Sequence, residues 1–191
     1  MSKILDYIFV RDRHVCPWWL CFTFDNIFRK LIHDPSKILK PYVKQKDTIL
    51  DVGPGMGYFT IPLARMVGEE GHIIAADVQE KMLLALKRRA QHFSLDKRIV
   101  MHLCSPDFLG VQEKVNFILA FWMVHEVPDK KRFLNELFSV LKDKGTFLLA
   151  EPVLHVAKAD FEETVHLAVQ AGFTLNDRPQ MIMCRSALFK K

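Results

Sequence analysis

The sequence has few of the features that indicate a secreted, metal-binding or membrane-spanning protein. Only four of its 191 residues are cysteine, and they form no Cys-x-x-Cys pair. We therefore expect reduced thiols and no metal site. It has no run of about 18 uncharged apolar residues. It also lacks the basic start and apolar run of a signal peptide. These absences favour a cytoplasmic enzyme without membrane insertion.

Positive charges exceed negative charges only slightly, and the net charge is +5. Local basic clusters occur at Lys87–Arg89 and Lys130–Arg132, each within a predicted helix. Such clusters are typical of solvated helix faces. Nucleic-acid binding would need a basic stripe that is continuous in space, so we expect no nucleic-acid partner. The oligomeric state stays open, and the length fits one domain with a short appendage.

Glycine is scarce, yet three of the eight glycines lie in the stretch Asp51-Val-Gly-Pro-Gly-Met-Gly57. This stretch follows the apolar run Thr48–Leu50 and leads into the helical pattern of Tyr58–Val67. It therefore predicts a strand, a glycine turn and the start of a helix. Because glycine has no Cβ and tolerates positive φ, such a turn lets the backbone approach a nucleotide-like ligand.

Strands and helices alternate along the rest of the chain, which predicts an α/β fold. The predicted strands are 48–52, 72–76, 98–103, 115–121, 146–150, 172–175 and 181–189, and helices are expected at 79–93, 129–142 and 158–171. This alternation favours a mostly parallel sheet with helices on both faces, and a hairpin makes the last strand antiparallel. Ligands of such sheets bind at the carboxyl ends of the strands. The glycine turn, Asp77, 104–107, 121–126 and Glu151 are all predicted there.

The spacing around the glycine turn narrows the choice of cofactor. Gly53, Gly55 and Gly57 give Gly-x-Gly-x-Gly rather than the Gly-x-Gly-x-x-Gly of dinucleotide sites. Asp51 would repel a pyrophosphate but attract a cation. Asp77, after the second strand, could accept both hydroxyls of a ribose. S-adenosylmethionine combines a sulfonium, an ammonium and a ribose. The alternatives are a carboxylate satisfied within its loop for Asp51 and a helix cap for Asp77.

Four segments carry a family resemblance. Ile49–Thr60, Ile74–Met82 and Leu134–Pro152 resemble motifs of the class I S-adenosylmethionine-dependent methyltransferases. The triplet His125-Glu-Val127 is similar to small-molecule methyltransferases of the ubiquinone/menaquinone-biosynthesis type. The resemblance implies a Rossmann-like, seven-stranded, mostly parallel sheet with strand order 3-2-1-4-5-7-6. Strand 7 would be antiparallel, with helices on both faces.

The resemblance also implies binding roles. The methionine part would lie on Asp51 and the turn residues Gly53, Pro54, Gly55 and Gly57, and the ribose on Asp77. Val78 would pack on the adenine, beside Cys104 and Ser105. The family often has Gly-Asp-Ala after the third strand, where this chain has Cys104-Ser-Pro, so Ser105 or Asp107 would replace the missing carboxylate. Phe121 and Trp122 would border the transferred methyl.

Methyl transfer needs alignment and exclusion of water, and it needs a base only if the nucleophile arrives protonated. His125 is the candidate base because its pKa can lie near neutrality. The alternative is a loop histidine bonded to Asp129 or to the backbone. Glu126 and Glu151 would orient a substrate or be solvated. We list His125 and Glu126 as the candidate catalytic residues.

The N-terminal stretch 1–34 differs from the rest because it is rich in aromatic residues, including Trp18 and Trp19. We expect it to form a lid over a methyltransferase domain at 35–191. The alternatives are plain packing and an oligomer or membrane contact.

The expected function is transfer of a methyl group from S-adenosylmethionine to a small, partly apolar acceptor, with S-adenosylhomocysteine as product. Three alternatives stay open. The first is a non-catalytic S-adenosylmethionine-binding protein, and the second a methyltransferase of RNA or protein. The third is an arsenite methyltransferase that uses Cys16, Cys21 and Cys184, which would require the three sulfurs to converge.

Overall fold

A computed structural model gives the fold, and it describes residues 32–105 and 107–191. A seven-stranded sheet is flanked by helices. The helices are α1 Pro35–Leu39, α2 Thr60–Met66, α3 Glu80–His92, α4 Lys130–Val140 and α5 Lys158–Gln170. The strands are β1 Thr48–Val52, β2 His72–Asp77, β3 Ile99–Leu103, β4 Val115–Phe121, β5 Leu141–Pro152, β6 Thr174–Asp177 and β7 Cys184–Lys190. Two 3-10 turns, Asp96–Arg98 and Val124–Glu126, precede β3 and follow β4.

The strand order is β3-β2-β1-β4-β5-β7-β6, which confirms the order that the resemblance implied. Across the sheet, the five neighbouring strands β3, β2, β1, β4 and β5 pair in parallel. β7 is antiparallel to both β5 and β6. β1 lies between β2 and β4, so the strand order reverses beside it. In open α/β sheets, this reversal is where a crevice for ligands opens at the carboxyl ends.

Helices cover both faces of the sheet because residues of the central strands alternate between two apolar cores. Ile49 faces the core that contains Leu63 of α2 and Leu86 of α3. Leu50 faces the core that contains Leu137 of α4 and Phe161 of α5. Both faces of β1 are therefore buried, as expected for a central parallel strand.

The predicted boundaries were wrong around β5. Helix α4 ends at Val140 rather than at 142, and β5 starts at Leu141 rather than at 146. Leu141 pairs with Val115 and the next pairing joins Thr146 to Phe117, so the residues between them form an irregularity in the strand. Because this stretch is polar and contains Gly145, its sequence pattern predicted the end of a helix instead. β6 and β7 are likewise displaced, to Thr174–Asp177 and Cys184–Lys190.

The predicted lid at 1–34 lies almost entirely outside the described residues. Of its last three residues, His33 is buried and its Nε2 lies 2.7 Å from the carbonyl oxygen of Ile182. Asp34 caps α1, with its side chain accepting from the N–H of Ser36 at 2.9 Å. None of the helices in the described part of the chain is long and apolar enough to cross a membrane.

Candidate functional site

The glycine turn, residues 53–57, packs closely at its two ends and is open at its centre, Gly55. Gly53 and Gly57 both have positive φ, and a Cβ would lie 2.9 Å from Met123 Cβ at Gly53 and 2.3 Å from Leu86 Cδ1 at Gly57. At Gly55, which also has positive φ, a Cβ would meet no described atom within 4 Å. Two glycines thus allow close packing, and Gly55 presents bare backbone to open space. Pro54 supports the turn, since its carbonyl accepts from the N–H of Gly57 at 2.9 Å.

Asp51 is the buried carboxyl group at the end of β1. It is 2% exposed, and its Oδ2 accepts from the hydroxyl of Thr60 at 2.6 Å. Burial raises the pKa of Asp51 to about 7; the Thr60 hydrogen bond opposes that rise and the charge of Asp77 adds to it. A carboxylate that is buried at such cost is well placed to gain from a cationic ligand.

Asp77 is the second buried carboxyl group, at the end of β2. Its Oδ1 accepts from the N–H of Gln79 at 2.8 Å. Burial raises the pKa of Asp77 to about 6, against hydrogen bonds from the backbone N–H groups of Gln79, Gly55 and Val78. The cap-like bond to Gln79 is the alternative expected from the sequence, and the bond from Gly55 joins the same carboxyl group to the glycine turn.

Apolar side chains lie exposed beside Asp77, at the ends of β2 and β3. Val78, Leu103 and Phe108 are all at least a third exposed. Cys104 is half-buried, and burial raises the pKa of its thiol to about 12, with Asp77 and Glu136 contributing. Cys104 is therefore a neutral wall residue rather than a nucleophile. Ser105 and Asp107 are both exposed, and sequence reasoning missed Leu103 and Phe108, whose hydrophobicity alone gives no signal.

An aromatic corner, which we define as Phe121, Trp122, His33 and Cys184, closes the end of β4. Trp122 has φ +62°, a rare conformation for a bulky residue, and its Nε1 donates to Cys184 Sγ at 3.2 Å. The ring of His33 lies edge-on to Phe121 and Trp122, with centroids 5.4 and 5.2 Å away. Strained backbone of the kind seen at Trp122 is common at functional sites. His33 and Cys184 come from opposite ends of the chain, so no sequence spacing predicted their meeting.

His125 is bonded to Glu151. Its backbone N–H donates to Glu151 Oε1 at 3.1 Å, and its ring Nδ1 lies 2.6 Å from Oε2. Burial alone would lower the pKa of His125, but the hydrogen bond and charge of Glu151 outweigh burial and raise it. Asp129, the alternative partner, instead caps α4 through the N–H of Arg132 at 2.9 Å. Glu126 lies half-buried in the same 3-10 turn as His125.

The ligand that fits this edge carries both a cation and a ribose. Asp51 suits the cation, Asp77 suits ribose hydroxyls, and the bare backbone of Gly55 admits close approach. S-adenosylmethionine has these groups and no phosphate. The sheet order is that of the Rossmann-like fold of class I S-adenosylmethionine-dependent methyltransferases, and this edge suits their cofactor.

The chain belongs to the family described as "Methyltransferase domain", whose model matches residues 43–182. Among curated proteins, it is similar to the ubiquinone/menaquinone biosynthesis C-methyltransferase of Salmonella arizonae. The two are 26% identical over 135 residues, which cover 68% of this chain and 54% of that enzyme. The chain thus spans about half the length of the curated relatives it matches.

Solved structures show the same fold. A methyltransferase from Aquifex aeolicus described as SAM-dependent has a TM-score of 0.82 at 24% identity, covering 92% of this chain and 98% of its own. A SAM-dependent O-methyltransferase from Thermotoga maritima has a TM-score of 0.66 at 23% identity, covering 83% and 64%. Aeropyrum pernix fibrillarin, with natively bound S-adenosyl-L-methionine, has a TM-score of 0.61 at 15% identity, covering 76% and 67%.

Proposed function

We propose that this protein transfers a methyl group from S-adenosylmethionine to a small, partly apolar acceptor. The observation that carries the proposal is the pair of buried carboxyl groups, Asp51 and Asp77, on either side of an open glycine turn. Bound there, the cofactor would supply a methyl group already activated by the sulfonium. The protein's own task is then to align the acceptor and exclude water.

We assign the donor half of the site to the ends of β1 and β2. Asp51 attracts the ammonium of the methionine part, which the backbone of Gly53, Pro54, Gly55 and Gly57 cradles. Asp77 accepts the ribose hydroxyls, and Val78 with Cys104 and Ser105 borders the adenine. The exposed side chains of Leu103 and Phe108 extend that apolar border. Since Ser105 and Asp107 are both exposed, the adenine would be held mainly by apolar contact.

We assign the acceptor half to the ends of β4, β5 and β7. The aromatic corner, with Phe121 and Trp122, borders the methyl group to be transferred. Beside it lie four exposed apolar side chains: Val153, Leu154, Ile182 and Met183. The N–H of Val153 donates to the carbonyl of Met183 at 3.0 Å, so the two pairs form one patch next to Cys184. An apolar patch at the edge of a site favours an apolar acceptor.

The name of the Salmonella relatives supports a small-molecule acceptor rather than RNA or protein. One structural neighbour, from Clostridium thermocellum, is described as an rRNA methylase, so the RNA alternative has to be tested directly. That the stretch 1–34 forms a lid over the acceptor stays a prediction, and a deletion variant can test it.

Calorimetry with S-adenosylhomocysteine tests the donor half. We expect binding by the wild type and a large loss in Asp77→Asn. Asp143→Asn, which alters an exposed carboxylate in the irregular part of β5, serves as the matched control. Binding of NAD without binding of S-adenosylhomocysteine would refute the donor assignment.

Labelled S-adenosylmethionine then tests turnover with a panel of small acceptors, with RNA and with protein. We expect label in small molecules. Binding without turnover on any acceptor would favour the non-catalytic alternative, and label in RNA or protein would identify a macromolecular substrate. If a variant lacking residues 1–31 folds and turns over small acceptors at the wild-type rate, the lid prediction is wrong.

A further inference from the structure

We propose that His125 and Glu151 form a proton-accepting pair, and that the methyl acceptor is a weakly acidic hydroxyl group whose proton His125 removes. This inference rests on the proposed function and names the class of acceptor for that site. Glu151 is a positioning residue, because it acts on the acceptor only through His125.

The geometry of the pair fixes both the loop and the ring of His125. Glu151 is 2% exposed at the end of β5, and its two oxygens each meet one nitrogen of His125. The N–H of Trp122 also donates to the carbonyl of Ala150 at 2.8 Å, one residue before Glu151. The segment after β4 is thus tied to the end of β5 at two successive positions.

The pair also fixes the tautomer of the ring. An ionised carboxylate can only accept hydrogen bonds, so Nδ1 must carry the proton toward Glu151 Oε2. The neutral ring then has its lone pair on Nε2, which is the state that a base requires. With its side chain 27% exposed, the ring remains accessible to a small molecule.

The groups around the ring of His125 determine how tightly it binds a proton. Glu151 on β5 and Glu126 in its own turn raise the pKa of His125, and Lys130 at the start of α4 lowers it, as does burial. The ring of His155, after β5, lies nearly parallel to it with centroids 6.5 Å apart. The net pKa is raised, so the ring of His125 binds an accepted proton more tightly than a free imidazole does.

The pair lies beside the donor half. Met123, two residues before His125, packs against Gly53 closely enough that a Cβ there would lie 2.9 Å from Met123 Cβ. The loop that carries the base therefore rests on the glycine turn. A hydroxyl suits this place better than an ammonium group, because a second cation beside the sulfonium would be repelled.

The reaction would balance with these residues, the acceptor and the bound methyl donor. The acceptor oxygen forms a bond to the methyl carbon, and the bond from that carbon to sulfur breaks with its electron pair left on sulfur. The proton of the hydroxyl passes to His125 Nε2 and later to water. The hydrogen bond and the charge of Glu151 stabilise the imidazolium in between.

Nitrogen-15 NMR of histidine-labelled protein tests the pair without any acceptor. We expect His125, assigned by loss of its signals in His125→Gln, to carry its proton on Nδ1 and to titrate above its ordinary pKa. Glu151→Gln should lower that pKa and mix the tautomers, whereas His155→Gln should leave the tautomer unchanged. A proton on Nε2 in the wild type would overturn the proposal.

Ligands of different charge test whether the ring faces the donor. Sinefungin carries an amine cation where S-adenosylhomocysteine has a neutral sulfur. We expect the pKa of His125 to lie about half a pH unit lower with sinefungin. Equal pKa values with both bound would overturn the inference. Failure of either to bind would instead count against the proposed function, while the tautomer of the free protein still tests the pair.

Phenols of graded acidity test the acceptor class. With phenol, which is protonated at pH 8, His125→Gln should reduce kcat about 10²–10⁴-fold. With 4-nitrophenol, which is ionised at that pH, the loss should be much smaller. Methylation confined to amine or thiol probes would overturn the hydroxyl assignment. Far-ultraviolet circular dichroism of each variant excludes unfolding as the cause.

Discussion

Burial raises the pKa of Asp51 to about 7, and the charge of Asp77 contributes to that rise. The two carboxyl groups lie at the carboxyl ends of the neighbouring parallel strands β1 and β2. Neither gains stability from its buried position alone. The two carboxyl groups are therefore suited to a ligand that supplies a positive charge and hydrogen bonds.

Cofactor affinity should rise with pH. The pKa of Asp51 is raised to about 7, and only its ionised form attracts the ammonium of the ligand. The pKa of Asp77 is raised to about 6, and its ionised form is the better acceptor for ribose hydroxyls. Calorimetry with S-adenosylhomocysteine should show weak binding at pH 5.5 and a plateau above about pH 8. Asp51→Asn should bind weakly with a flatter profile, and an unchanged profile in this variant would show that Asp51 is not the titrating group.

The stability of the ligand-free protein should change with pH in the opposite direction. The folded-state pKa of Asp51 lies above its ordinary value of 3.8, so its contribution is fully present below that value and is lost as pH rises through about 7. Asp51→Asn should therefore raise the free energy of unfolding by about 2–4 kcal/mol at pH 8, and with it the Tm. At pH 5 the increase should be much smaller. Thermal melts across this range measure the effect, and a destabilised variant at pH 8 would contradict it.

Alanine substitutions at two glycines with positive φ can distinguish a loss of ligand binding from a loss of stability. A Cβ would meet no described atom within 4 Å at either Gly55 or Gly68, so alanine brings mainly backbone strain of about 1 kcal/mol. We expect both variants to fold with similar melts, and only Gly55→Ala to lose S-adenosylhomocysteine binding. Equal affinity in the two variants would remove Gly55 from the site.

Gly53→Ala should affect both properties. Its Cβ would lie 2.9 Å from Met123 Cβ, in a strained conformation at φ +65°. We expect a loss of about 1–3 kcal/mol in the free energy of unfolding, measured by urea denaturation. Because Met123 lies in the loop that leads to His125, turnover should fall as well. Gly53→Ala/Met123→Gly, which removes the clashing Cβ and Cγ, should recover part of the stability. No recovery in the double variant would locate the strain elsewhere.

The apolar border next to Asp77 should contribute to affinity. Leu103 is exposed at the end of β3, and Leu84 is exposed to a similar extent on α3. If adenine packs on Leu103, Leu103→Ser should weaken S-adenosylhomocysteine binding about fivefold or more, and Leu84→Ser should leave it unchanged. Calorimetry decides between them, and equal effects would place the adenine elsewhere.

Local sequence patterns were enough to predict the sheet and to place the residues that we assign to the donor at its carboxyl edge. Apolar runs and alternating helices imply parallel strands, and Asp51, the glycines and Asp77 follow those strands directly. The bond between His125 and Glu151 was not predictable in this way, because it joins residues 26 positions apart through the pairing of β4 with β5. His33 and Cys184, 151 positions apart, meet for the same kind of reason.

β1 pairs with β2 on one side and with β4 on the other. The groups assigned to the donor lie on the β2 side, and those assigned to the acceptor lie on the β4 side. This division makes the protein a modular scaffold for redesign. Exchanging the loop after β5 should redirect the protein to new acceptors without disturbing the donor half, whereas the loop after β4 should be kept because Met123 packs against Gly53.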